Sequence, residues 1–104
     1  MLDWVPEAID ELKELMDYAY QFSPEAGVAV RDAIIQKAEW LATHSMAGGR
    51  VEGLSSEYKV GYTKKSKYRI YYRTLSQDYI EILMVRHASR PKPRIEELQG
   101  RERD

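Results

Sequence analysis

The sequence predicts an α+β fold in which an N-terminal antiparallel helical hairpin packs on a small, mainly antiparallel β-sheet. Three observations carry this. Apolar residues recur at three- and four-residue spacing over 8–19 and again over 26–41, the period of helices with one buried face. Residues 68–73 instead alternate, with Arg69, Tyr71 and Arg73 on one face and Tyr68, Ile70 and Tyr72 on the other. Residues 79–86, YIEILMVR, form an apolar run long enough for a central strand buried on both faces.

Met1–Val5 is long enough only for a strand fragment. Pro6 suits the first turn of a helix, where a missing N–H costs little. The helix then follows from Ala8, Ile9, Leu12, Leu15, Met16 and Ala19, with Glu7, Asp10 and Glu11 near its N-terminus where the dipole favours acids. Ser23 reads as the N-cap of a second helix and Pro24 as its first residue. Its inner face is small: Ala26, Ala29, Val30, Ala33, Ile34, Ala38 and Leu41. Such residues let two helices approach closely, which makes the pair an antiparallel hairpin. His44–Gly49 is a loop. Strands follow at Tyr58–Thr63, 68–73 and 79–86, with turns at Lys64–Lys67 and Thr74–Asp78. Pro91 and Pro93 end the regular structure. Ile95–Leu98 makes one helical turn and Gly100–Asp104 frays. Residues 1–94 are therefore expected as a single domain, and 95–104 as a charged C-terminal tail.

The chain has 104 residues and no cysteine, which excludes disulfides, thiolate metal sites and a thiol nucleophile. Its two histidines, His44 and His87, are too few for a typical His-based metal site, and no metal or cofactor is expected. Acids interrupt the N-terminus where a secretory signal would be apolar, and no apolar run approaches the ~20 residues of a membrane span. A cytoplasmic protein without membrane contact is the expectation. Charge is unevenly placed: residues 1–30 hold seven acids and one base, residues 50–94 eleven bases and four acids. This separation gives the molecule a directed field suited to an acidic partner or nucleic acid. An acidic helix face that simply balances a basic sheet for solubility explains it equally well.

The candidate site residues are the cations of the sheet. Lys64, Lys65 and Lys67 form either a solvated turn or a phosphate contact. Arg69 sits mid-strand, where it needs solvent or a partner; a cross-strand pair with Glu81 is the plain alternative. Arg73 shares its face, and Arg86 points across the sheet. His87 either caps the end of its strand or serves as acid or base, with an ordinary pKa near ~6.5. Arg90 follows three residues later. No Gly-rich phosphate loop is present, since Gly48-Gly49 lacks the following Lys and Ser/Thr.

Y-R-I-x-Y at Tyr68–Tyr72, followed by I-x-I-L-x-V-x-H-x-x-R at Ile80–Arg90, resembles the RelE/ParE superfamily of type II toxin–antitoxin toxins. W-x-P-E-A-I-D-E-L at Trp4–Leu12 is similar to the start of those toxins. The resemblance covers roughly residues 4–90 and implies a toxin neutralised by a cognate antitoxin held on the sheet and hairpin groove. Two mechanisms follow from it. One is ParE-like inhibition of DNA gyrase, a binding function slightly favoured here. The other is ribosome-dependent, metal-independent cleavage of mRNA, in which Arg69 would stabilise the reacting phosphate, with Lys59, His87 and Arg90 assisting. Two departures count against the nuclease. Its members carry Y-K-x-K where this chain has Lys59 and then Gly61, and no Tyr follows Arg90.

Overall fold

The computed structural model describes residues 1–103, in the order β1 (Leu2–Trp4), α1 (Pro6–Tyr20), α2 (Pro24–Thr43), β2 (Gly49–Arg50), β3 (Tyr58–Tyr62), β4 (Tyr68–Ser76), β5 (Tyr79–His87) and α3 (Ile95–Gln99). The five strands form one sheet ordered β1-β5-β4-β3-β2. β1 runs parallel to β5, and every other pair is antiparallel. Asp104 lies outside the described residues.

The helical hairpin forms as its pattern dictates. Ser23 Oγ accepts the Ala26 N–H at 3.1 Å, and Pro24 occupies the first turn of α2. The inner face differs at two positions. Ala29 is exposed, and Gly27, absent from the expected stripe, is buried at the crossing. A Cβ on Gly27 would lie 3.2 Å from the Met16 carbonyl and 3.3 Å from Tyr20, so the missing side chain sets how closely α1 and α2 approach. Ile9, placed on the buried stripe of α1, is 39% exposed at its rim.

The register places Gly61, Ile70 and Val85 in one row across the sheet and Lys59, Tyr72 and Ile82 in the next. This face meets the hairpin, because a Cβ on Gly61 would strike Leu41 of α2 at 2.8 Å. Ala8, Ile34, Ala38, Ile70, Tyr72, Ile80 and Ile82 are fully buried in the shared core. Tyr72 turns its phenol toward the α2–β2 loop. Its hydroxyl donates to Ser45 O at 2.9 Å and accepts from Gly48 N–H at 3.0 Å, and burial raises its pKa.

The opposite face carries Val60, Tyr71 and Met84, with Arg69, Arg73, Glu81 and Arg86. It is covered, not open to water. The loop through Leu54 and the segment 91–103 lie over it, burying Leu98 to 1% exposure. The expected fraying of residues 100–103 is therefore corrected: Arg101 and Arg103 bind Glu11 and Glu7 of α1 at 2.8 and 3.0 Å. Periodicity could not show this, because the tail is anchored by arginines and not by an apolar stripe. The turn between the last two strands is also shorter than expected. β4 continues to Ser76, with register shifts at Tyr71/Tyr72 and Thr74/Ser76 that mark irregular pairing. The two-residue strand β2 was not anticipated in the loop at Gly49.

Candidate functional site

A groove of about 1170 Å³ lies between the hairpin and the far end of β5. One wall is mostly apolar, from Leu15, Tyr18, Ala19 and Phe22 of α1 and its exit and Ala26, Val30 and Ala33 of α2, and also carries Glu11 and Glu14 of α1. Tyr18 and Phe22 meet edge to face at 5.5 Å yet remain 65% and 72% exposed, so large aromatic surface stands open to solvent there. The other wall comes from Lys67, Tyr68, Val85, Arg86, His87, Arg90 and Lys92. Tyr18 and Phe22 were missed as site residues; their signal was two aromatics four apart, off the buried stripe of α1.

The end of the sheet gathers the cations. Tyr68 pairs with His87 in register, and the Ala88 N–H donates to Lys67 O at 2.8 Å, so the β3–β4 connection and the turn after β5 lie side by side. His87 packs edge-on against Tyr68 at 5.3 Å. Its Nδ1 accepts the Ser89 N–H at 3.0 Å and lies 2.7 Å from Ser89 Oγ. With Nδ1 accepting, Nε2 is the ring nitrogen left to face a partner, and among the described residues it has no hydrogen bond. Burial raises the pKa of the adjoining Tyr68 phenol, keeping it neutral. Among the described residues, no carboxylate forms an ion pair with Lys67, Arg90 or Lys92.

Arg69 is not in the groove. It is buried to 7% exposure on the opposite face. Its Nη2 donates to Ala88 O at 2.6 Å and Arg90 O at 2.5 Å, and its Nη1 to the Tyr71 hydroxyl at 3.1 Å. The guanidinium thus clamps the turn that presents His87 and Arg90. The anticipated pair with Glu81 belongs instead to Arg73, at 3.0 Å, because Arg73 and not Arg69 is opposite Glu81 in register. Arg73 also lies 3.4 Å from Glu102 and donates to Arg103 O. Arg86 bonds Pro91 O at 3.0 Å and pairs with Glu97 at 3.5 Å. Lys59 is buried on the hairpin side, beside Gly48 and in register with Tyr72. The structure therefore brings Lys67, His87 and Arg90 together but separates them from Lys59 and Arg69. Lys64 and Lys65 are exposed on the neighbouring 3₁₀ turn, where Lys65 and Ser66 take positive φ. Among the described residues, no three metal-ligating side chains cluster, and no helix is long and apolar enough to cross a membrane.

A family profile described as the ParE toxin of type II toxin-antitoxin system, parDE, matches residues 2–91. No curated protein sequence matches the chain. Among solved structures, the fold is similar to a chain of the chromosomal ParDE toxin–antitoxin system from P. aeruginosa. The TM-score is 0.68 at 17% identity, over 83% of this chain and 92% of that one.

Proposed function

The chain belongs to the ParE toxin family of type II toxin–antitoxin systems, and from that membership we propose how it is held and what it acts on: an antitoxin segment fills the groove, and the freed chain inhibits DNA gyrase by binding it. Membership makes the chain the toxin component of such a module and implies a cognate antitoxin. The groove supports a protein occupant over nucleic acid, because its hairpin wall is mostly alkyl and aromatic and its charged residues there, Glu11 and Glu14, are acids that would repel a phosphate backbone. A partner with apolar side chains toward Leu15, Tyr18, Phe22 and Val30, and carboxylates toward Lys67, Arg90 and Lys92, would match both walls.

The observation that carries binding over cleavage is the placement of Arg69. A phosphate-stabilising guanidinium needs free donors aimed at the reacting oxygens. Here two carbonyls and a phenol take three of its five N–H groups, including both of Nη2, and hold the group buried on the face away from the groove. Lys59 lies on the other face of the sheet, so the four residues of the nuclease reading do not converge.

Supercoiling by purified DNA gyrase tests this reading. Adding the chain should stop supercoiling and accumulate cleaved DNA, while a parallel translation reaction keeps its mRNA intact. Full supercoiling at excess protein, with transcripts cut on the ribosome, would instead establish the nuclease mechanism.

A further inference from the structure

The outer edge of β5 is paired along only part of its length. β1 covers Ile80–Ile82 and Val5 N–H reaches Ile82 O at 3.0 Å, but β5 runs on to His87. Beyond β1, two side chains take the place of a strand. Glu11 Oε1 accepts the Val85 N–H at 3.1 Å, and Arg101 Nη1 donates to Leu83 O at 3.0 Å. The same two groups are joined to each other by bonds of 2.8 and 3.0 Å. One joined donor and acceptor, set against a carbonyl and an N–H two residues apart, is the pattern a single residue of a neighbouring parallel strand would present. The next edge positions follow from the ladder. Tyr68 spends its N–H and carbonyl on Thr63, toward β3. Its cross-strand partner His87 therefore turns its own peptide groups away from β4, as Val85 does two residues earlier. The His87 carbonyl accepts from Arg90 N–H. By this geometry the Val85 carbonyl and His87 N–H are left without a strand partner among the described residues, on the edge that borders the groove.

We propose that the outer edge of β5 is a strand-acceptor surface whose inner half is closed by Glu11 and Arg101 acting as a side-chain substitute for one strand residue, so that an extended partner segment pairs only at Val85 and His87. The partner this edge fits is a peptide chain, since main-chain bonds supply its recognition. The pair sets how far such a segment can enter. It also keeps a long apolar strand from recruiting a second copy of the chain, the hazard of any open edge. This deepens the groove reading by fixing where a seated segment can form strand bonds. It is tested on the chain alone, so it survives if the antitoxin or gyrase reading fails.

Amide exchange in the wild-type chain gives the first test: Val85 should exchange at least about tenfold more slowly than His87. Equal protection of the two would mean the edge is closed throughout and would overturn the proposal. The double variant Glu11→Ala, Arg101→Ala gives the second. It should gain a concentration-dependent association step absent from wild type, with the Val85 amide fast when dilute and slow when concentrated. Glu11→Gln keeps an acceptor for Val85 N–H and should behave as wild type. A folded double variant whose Val85 amide exchanges fast at every concentration would show that nothing pairs there and would sink the idea. If the double variant fails to fold, the wild-type comparison decides.

Discussion

Arg69 shows how far a single residue can be read from sequence. A cation in the middle of a strand must have a partner, and that much was legible from its neighbours. The partners themselves were not, because they are carbonyls of Ala88 and Arg90, about twenty residues away and carrying no side-chain signature. Arg69→Met should cost about 1–3 kcal/mol in urea unfolding, since two part-buried carbonyls and a buried phenol lose a charged donor together. Arg69→Lys should recover little of this, because one ammonium cannot span both carbonyls and Tyr71 as the planar fork does. Gly61 is the complementary case. Sequence showed only that a lysine of the nuclease pattern was missing; the fold shows why one does not fit. Gly61→Lys would drive a Cβ to 2.8 Å from Leu41 Cδ1 and carry a charge toward the helical core. Overpacking alone should cost about 1–3 kcal/mol, visible as a lower midpoint in thermal unfolding, with no cleavage activity gained.

Among the elements, the helices were the most legible, because caps and a three-to-four residue stripe are local signals. The crossing point was not. Gly27 reads as a weak spot in a helix, yet it is where α2 rides over Met16 and Tyr20. Gly27→Leu should force the hairpin apart and cost about 1–3 kcal/mol by chemical denaturation. It should also widen the groove that the hairpin walls, weakening capture of a partner more than the stability loss alone would. The C-terminal segment was the least legible element. Its anchors are ion pairs to residues about ninety positions away, which no periodicity encodes. One of these anchors gives a signed pH effect. Glu7, in the first turn of α1, has its pKa lowered by its own backbone N–H and then by Arg103. A carboxylate whose pKa is lower when folded adds stability above its unfolded pKa and loses it as pH falls through the folded value. Thermal midpoints of wild type and Glu7→Gln should therefore differ near neutral pH and converge in acid below pH ~4. A gap that persists unchanged in strong acid would remove Glu7 from the account. The effect is small because the Arg103 pair is half-exposed and screened.

At the scale of the molecule, the charge separation read from the sequence is resolved by the fold into two populations. Most arginines of the sheet and tail are spent internally: Arg73 on Glu81 and Glu102, Arg86 on Glu97, Arg101 on Glu11 and Arg103 on Glu7. Solubility and tail anchoring account for these, as the plainer reading of the charge pattern allowed. Lys67, Arg90 and Lys92 are different, since they line the groove without forming an ion pair among the described residues. An unpaired cluster beside an apolar wall should steer an acidic segment into place, while the apolar wall holds it. The two contributions separate in kinetics. With the cognate antitoxin as ligand, the triple variant Lys67→Glu, Arg90→Glu, Lys92→Glu should associate roughly 10–100-fold more slowly at low ionic strength. The gap should close as salt rises and the screening length shortens to a few ångströms. Phe22→Ala should instead leave the association rate and its salt dependence nearly unchanged and speed dissociation, because that ring is 72% exposed in the free chain and gains its burial only on docking. Surface plasmon resonance across a salt series measures the association and dissociation rates of wild type and both variants. If the charge variant slows association equally at low and high salt, the cations act by shape and not by field, and the groove has been assigned the wrong kind of partner.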